Sequence, residues 1–214
     1  MTHFALKDDL LDAQALRAAG AAPYGGADIG EVLATAHLID GTSLNSWYEQ
    51  WQATGQRVMT LAREQDAAGN RESARLAYWR AATYLRTSGM MLMGTPTDRR
   101  FADSIASQRE AFRAGAALME HPPQVIQIPF EQTTLPGYFF TVDDNPRPRA
   151  TVILIGGYDS TAEESYFFNA AAALARGYNV LTFDGPGQGA ALVDQGLLMR
   201  PDWENVLPPV VDFA

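Results

Sequence analysis

Two glycine-rich stretches in the second half of the chain carry the residue types that could take part in chemistry. The first, 156–161, is Gly-Gly-Tyr-Asp-Ser-Thr, and the second, 184–189, is Asp-Gly-Pro-Gly-Gln-Gly. Because glycine has no Cβ, the backbone in such a turn can come close to a ligand. A fixed N–H group in a dry site stabilises negative charge on a carbonyl oxygen by about 3 kcal/mol. The sequence therefore offers a candidate site for an oxyanion.

The first stretch contains the residues that we assign to this site. The backbone N–H of Tyr158 is the first choice as oxyanion donor and that of Gly157 the second; the alternative is a tight turn that binds nothing. The carboxylate of Asp159 could orient a substrate keto or amine group, or transfer a proton if burial raises its pKa. Its alternative role is to bind free N–H groups at a helix N-terminus. Glu163 and Glu164 diverge on a helix, so we expect a cap and a solvated face rather than a paired acid and base.

The second stretch also fits a relaxed dinucleotide-binding pattern, Gly-x-Gly-x-x-Ala, over residues 185–190. Three features argue against a nicotinamide or flavin site. The pattern follows a second strand rather than a first, Pro186 lacks a donor N–H, and Gly196 and Pro201 leave little room for a long helix. We expect no cofactor. We also expect no metal, since no ligand spacing connects the three histidines, which are His3, His37 and His121.

The elements that position both stretches form one strand–helix–strand unit. Residues 151–155 are a short apolar run with several β-branched side chains, which is typical of a buried strand in a parallel sheet. Ser160 and Thr161 are each followed by glutamate three residues later, a doubled capping-box signal. An alanine-rich helix should end at Gly177, before a second strand over 178–183. This order predicts a right-handed crossover in a parallel sheet.

The chain should divide near residue 122. Residues 1–122 have apolar positions at helical spacing and predict a helical domain that includes an antiparallel hairpin broken at Gly69. From 123 to 214 the pattern first alternates, which predicts an antiparallel β-hairpin ahead of the parallel unit. Near the end, Asp202 should cap an amphipathic helix that two prolines kink or interrupt. The predicted fold class is α/β with a helical N-terminal domain.

A cluster of methionines in the helical domain is a candidate substrate-binding surface, because methionine adapts to irregular ligands. The alternative is ordinary core or a domain interface. The residues are Met90, Met91 and Met93.

Composition narrows the range of partners. The formal net charge of −9 argues against nucleic acid and anionic membranes, and the absence of cysteine excludes disulfides and thiol nucleophiles. The N-terminus has no apolar segment typical of a secretion signal, and no stretch approaches the roughly 20 apolar residues of a membrane span. We expect a cytoplasmic protein without a membrane partner, and a homodimer is compatible with the sequence.

The motifs resemble the first half of an α/β-hydrolase core. The similarity rests on the 156–164 stretch, on Arg176-Gly177-Tyr178 and on 183–189, at this separation. The chain resembles in particular a subgroup that has an N-terminal helical cap and includes 2,6-dihydropseudooxynicotine hydrolase, FrsA-like esterases and a fungal polyketide-shortening hydrolase. The resemblance implies an oxyanion donor in the loop after the 151–155 strand. It also implies that Asp159 is the acidic residue that takes part in catalysis or orients the substrate. The second loop would support the site, and Asp184 would pack or cap locally.

The resemblance also implies a serine hydrolase that acts on a small-molecule carbonyl substrate, either an ester or a C–C bond beside a ketone. The nucleophile motif Gly-x-Ser-x-Gly is absent from the sequence. We therefore expect a chain truncated before the nucleophile elbow and inactive alone. It would need the C-terminal half of the core, in cis or in trans. The competing hypothesis is a non-catalytic helical binding module on a degenerate hydrolase scaffold.

Overall fold

The computed structural model describes residues 3–93, 98–145 and 147–214. Its contacts divide the chain into two compact units, Met1–Met119 and Glu120–Ala214. Each unit has its own hydrophobic core, and each is described separately below.

The first unit is built from helices. The two longest are α3 and α4, which pack as an antiparallel hairpin turned at Gly69, where φ is +77°. Its α-helices are α1 (Asp9–Ala19), α2 (Ile29–Ala36), α3 (Leu44–Ala67), α4 (Arg71–Gly89) and α5 (Arg99–Ala117). Short 3-10 turns occupy Ala22–Tyr24 and Met90–Leu92.

Small residues let the hairpin close tightly around large aromatic side chains. A Cβ on Gly55 would lie 2.7 Å from Leu85 Cγ, so α3 and α4 approach at a distance that only glycine permits there. The Trp47 indole is fully buried and donates a hydrogen bond to the Thr87 carbonyl at 2.8 Å. Burying large rings with a satisfied polar group is a major stabilising contribution. Other fully buried aromatic side chains of this unit are Trp51, Trp79, Tyr84 and Phe112.

The second unit is a four-stranded mixed sheet with helices. Its strand order is β1-β2-β4-β3, where β1 and β2 form an antiparallel hairpin, β2 and β4 are antiparallel, and β3 and β4 are parallel. This arrangement confirms the predicted hairpin followed by a β-α-β unit. The strands are β1 (Gln124–Phe130), β2 (Thr133–Phe140), β3 (Thr151–Ile155) and β4 (Asn179–Phe183).

The crossover between β3 and β4 is helical but not one regular α-helix. It consists of α6 (Ala162–Ser165), a π-helical turn (Tyr166–Ala170) and α7 (Ala171–Leu174). Within the π turn, Tyr166 packs edge-on against Phe167 and lies 5.3 Å from Phe140, measured between ring centroids. Gly177 follows with φ of +86°, as expected for a glycine that ends a helix.

The C-terminal residues follow the alternative in which the predicted helix is interrupted, and the Asp202 side chain makes no capping hydrogen bond. A 3-10 turn (Trp203–Asn205) is followed by a separate helix, α9 (Leu207–Phe213), and Pro208 lies in its first turn. Proline is tolerated there because the first N–H groups of a helix have no intrahelical acceptor. The prolines therefore begin this helix. A further helix, α8 (Gly189–Gln195), directly follows the second glycine stretch.

Candidate oxyanion site

The two glycine stretches begin at the same end of two neighbouring parallel strands. β3 and β4 are parallel neighbours, and their last residues, Ile155 and Phe183, are partners in the register. The loops that follow them, from Gly156 and from Asp184, therefore leave adjacent carboxyl ends of parallel strands. This is where open α/β sheets bind ligands.

The Gln188 side chain joins the two loops. Its Nε2 donates hydrogen bonds to the carbonyl oxygens of Gly156, at 2.7 Å, and Gly157, at 2.9 Å. Its Oε1 accepts from the Gly185 N–H at 2.9 Å. Gln188 is only 2% exposed, so these bonds form out of contact with water and hold the loops firmly.

Asp184 ties the second loop to two helix starts. Its Oδ1 accepts from the Ala162 N–H at the start of α6 at 2.7 Å, and its Oδ2 accepts from the Ala190 N–H in α8 at 2.8 Å. A carboxylate is favoured at a helix N-terminus because it satisfies orphan donors and complements the positive end of the helix dipole. The prediction that Asp184 caps locally is confirmed, and it extends to both helices.

The glycines of the second stretch are explained by packing inside the protein. A Cβ on Gly185 would lie 2.5 Å from the Trp203 ring, and one on Gly189 would lie 2.3 Å from Asp184 Oδ2. The loop N–H groups also have protein acceptors: that of Gly187 bonds to the Leu197 carbonyl and that of Ala190 to Asp184. A phosphate would need such N–H groups. In this loop the N–H groups of Gly187 and Ala190 are already bonded to acceptors of the protein itself.

The first stretch presents the two donors named from sequence. Gly157 and Tyr158 lie in the loop between β3 and α6 and are exposed. Within the described part of the chain, no acceptor is hydrogen-bonded to either backbone N–H, whereas both adjacent carbonyls are bound by Gln188.

Three known hydrolases are similar to this chain in sequence. The hydrolase LUC6 of Fusarium sp is 41% identical over 207 residues, which cover 93% of this chain and 48% of the relative. The 20-hydroxy-prefusarin hydrolase FUS2 of Gibberella moniliformis is 39% identical over 216 residues, 99% of this chain and 52% of the relative. The alpha/beta hydrolase psoB of Aspergillus fumigatus is 41% identical over 217 residues, 98% of this chain and 49% of the relative.

A solved hydrolase structure is also similar to this chain. The crystal structure of 2,6-dihydroxy-pseudo-oxynicotine hydrolase matches with a TM-score of 0.74 at 25% identity, over 91% of this chain and 52% of that chain. The resemblance to the α/β-hydrolases is confirmed. The chain spans about half the length of the curated relatives it matches. No protein-family model matches the sequence.

In this hydrolase-like core, Asp159 lies in the loop between β3 and α6 and is partly exposed. The N-cap of α6 is Thr161, whose side chain accepts from the Glu164 N–H at 3.2 Å. The Asp184 carboxylate accepts a hydrogen bond from the Ala162 N–H. Thr161 and Asp184 thus bind two of the N–H groups at the start of α6, and both roles of Asp159 stay predictions.

The expectation for Glu163 and Glu164 needs correction. Both are buried, at 4% and 7% exposure, so neither lies on a solvated face. Glu163 accepts a hydrogen bond from the Tyr138 hydroxyl at 2.7 Å, and Glu164 accepts from the Ser160 hydroxyl at 3.0 Å. Burial is tolerated because each carboxylate has a hydrogen-bond donor. Sequence reasoning missed the contact of Glu163, since Tyr138 comes from a distant strand.

The methionine cluster lies in the first unit. Met90 and Met91 belong to the 3-10 turn after α4 and are half-buried, whereas Met93 is buried at 8% exposure. The turn packs against α3, α4 and α5. Its role in substrate binding stays a prediction.

The part of the chain that the structure describes holds no group of three or more His, Asp or Glu side chains that could bind a metal ion. No helix among these residues is both long and apolar enough to cross a bilayer.

Proposed function

We propose that this chain supplies the helical cap and the oxyanion-stabilising loops of a serine hydrolase. The reaction is attack by a serine on a carbonyl carbon, with release of the acyl group by activated water. The substrate class is a small carbonyl compound, either an ester or a ketone whose adjacent C–C bond is cleaved, as in polyketide-like β-dicarbonyl compounds. No cofactor takes part in the proposed reaction.

The observation that carries the proposal is the pair of backbone N–H groups of Gly157 and Tyr158. They follow a parallel strand at its carboxyl end, in an exposed loop whose carbonyls are held by a buried side chain. Donors fixed before the reaction stabilise a developing oxyanion without further reorganisation, which is the basis of their large effect on rate. Tyr158 remains the first choice and Gly157 the second.

Asp159 is the proposed substrate-orienting group. It is adjacent in sequence to the proposed donors, in the loop between β3 and α6. A carboxylate next to the oxyanion site can bind a keto or amine group of the substrate, or exchange a proton with it. The proposal also keeps Met90, Met91 and Met93 of the helical unit as substrate-binding residues.

The triad is proposed to lie in polypeptide outside these residues, in the same protein or in a partner chain. β3 is the last strand in the sheet order, and Ile155 at its end is 51% exposed. An apolar edge strand is a template for pairing with a further strand. The proposal therefore assigns this edge to the C-terminal half of the core, and the 214-residue chain is expected to be inactive alone.

A fluorophosphonate probe tests this proposal, because it labels activated serines. A longer protein that contains this chain should be labelled at one serine outside these 214 residues, and it should hydrolyse p-nitrophenyl acetate. The 214-residue chain alone should show neither reaction. Absence of labelling in the complete assembly would refute the serine hydrolase and favour a non-catalytic binding module.

A further inference from the structure

We propose that Gln188 is a positioning residue for the oxyanion site. Its side-chain amide sets the direction of the Gly157 and Tyr158 N–H groups, although it lies 30 or more positions later in the sequence. The catalytic meaning of this inference rests on the proposed function. The orientation of the two peptide groups can be tested separately.

The Gln188 amide is fully used. Its two Nε2 hydrogens match the two carbonyl oxygens of the first loop, and its Oε1 takes the Gly185 N–H. The orientation of the amide is determined by these partners, since a carbonyl can only accept and an N–H can only donate. A flipped side chain would place oxygen against two carbonyl oxygens. At 2% exposure, water cannot compensate for that mismatch.

The consequence for the donors follows from peptide geometry. The Gly156 carbonyl and the Gly157 N–H belong to one planar peptide group, and the Gly157 carbonyl and Tyr158 N–H belong to the next. Neither peptide is cis. In a trans peptide the C=O and N–H bonds point in opposite directions. Because Gln188 binds both carbonyls, both N–H groups point away from it; the Gly157 carbonyl also accepts from the Ser160 N–H at 3.1 Å.

Glutamine suits this role because it bridges two loops without a charge. It donates to the loop after β3 and accepts from its own loop after β4, so the two move together. A glutamate at this position could still accept from Gly185 but could not donate to the carbonyls. It would place negative charge beside the two carbonyl oxygens and favour rotation of both peptide groups.

The first test measures orientation directly. In the ¹⁵N-labelled chain, Gln188→Glu should shift the amide resonances of Gly157 and Tyr158 several-fold more than Gln195→Glu does. Gln195 is a matched control, because it lies in the same sheet unit and its Oε1 accepts a hydrogen bond from the Thr133 hydroxyl. Gln188→Met, of similar length and uncharged, serves if the glutamate variant fails to fold. Shifts confined to residues around Gly185 would overturn the inference.

The second test measures catalysis in the longer protein. With p-nitrophenyl acetate, Gln188→Glu should lower kcat per titrated active site by roughly 10- to 100-fold with little change in KM, because transition-state donors are misdirected. A kcat within about twofold of wild type, with folding intact, would overturn the catalytic role. Wild-type protein that the fluorophosphonate probe does not label would instead refute the proposed function, and the resonance shifts would still decide whether Gln188 orients the loop.

Discussion

The neighbouring glycines at 156 and 157 have different reasons to be glycine. A Cβ on Gly156 would lie 2.8 Å from Ser160 Cβ, whereas the nearest atom to a Cβ on Gly157 would be Asp159 Oδ1 at 4.0 Å. Neither residue has a positive φ. The close approach of the chain to itself therefore requires glycine only at the first position.

This difference predicts opposite outcomes for two adjacent substitutions. Gly156→Ala should destabilise the chain by about 1–3 kcal/mol, because the methyl group must displace Ser160. Gly157→Ala should be neutral or stabilise it by up to about 1 kcal/mol, because alanine restricts the unfolded chain. Urea denaturation followed by circular dichroism measures both. Equal destabilisation by the two substitutions would contradict this account.

A second prediction at the residue scale concerns the Asp184 carboxylate. Asp184→Asn should cost roughly 2–4 kcal/mol, because the amide NH₂ would face a backbone N–H of Ala162 or Ala190 in a buried position. The free energy of unfolding in urea measures the loss. Asp212→Asn is the control, since Asp212 is exposed and its change should stay within about 0.5 kcal/mol. An equally small effect at Asp184 would show that its bonds to the two helix starts do not stabilise the fold.

At the scale of elements, α1 is joined to the segment before it by one carboxylate. Asp12 accepts hydrogen bonds from the backbone N–H groups of Phe4, Ala5 and Leu6 at 2.7–2.8 Å. The bonds from Ala5, Leu6 and Phe4, in that order of effect, lower the pKa of Asp12 below its usual value. A carboxylate that receives three N–H donors is stabilised in its charged form.

Because these hydrogen bonds need the charged carboxylate, acid should release residues 4–6 from α1. Asp12 contributes stability in full above the unfolded pKa of about 3.9, and the contribution is lost as pH falls through the lower folded pKa. Amide resonances of Ala5 and Leu6, followed by NMR from pH 7 to pH 2, should titrate with a midpoint below about 3.9.

Two variants complete the pH experiment. Asp12→Asn should loosen residues 4–6 at neutral pH, and its difference from wild type should shrink toward pH 2. Asp9→Asn is the control, because the Asp9 side chain is 90% exposed in the same helix. A midpoint at or above the value of free aspartate would show that the three hydrogen bonds do not hold the carboxylate.

At the scale of the whole molecule, the sheet of the second unit has two unequal edges. β1 and β3 are the outer strands, and each has one strongly exposed apolar residue, Val125 at 52% and Ile155 at 51%. β1 contains Pro129, which lacks an N–H and weakens pairing with an added strand. β3 has neither proline nor charge, so it is the edge open to a further strand.

The unequal edges predict self-association of the isolated chain through β3. Its apparent mass, measured by light scattering after size-exclusion chromatography, should rise with concentration. Ile155→Lys should reduce the increase, because a charged side chain opposes edge pairing, whereas Val125→Lys should leave most of it. Equal effects of the two lysines would contradict the assignment of the edge.

Much of the fold could be predicted because it depends on local patterns. The apolar run at 151–155, the alternation after residue 123 and the glycine at 177 report their structure through neighbours in sequence. The prolines near 208 left a kink and an interruption open, because proline both ends one helix and begins another; the structure shows the interruption. The burial of Glu163 depended on Tyr138, which is 25 residues away.

The candidate site, like the fold, could be predicted from the sequence only in part. The sequence by itself determined that two glycine loops follow two parallel strands and that one loop holds the proposed donors and Asp159, because strand order and turn residues are local properties. Only the tertiary structure decided that Gln188 binds the carbonyls of the other loop and that Asp184 caps two helices. Those contacts depend on a strand register that brings Ile155 beside Phe183, and distance along the chain does not encode it.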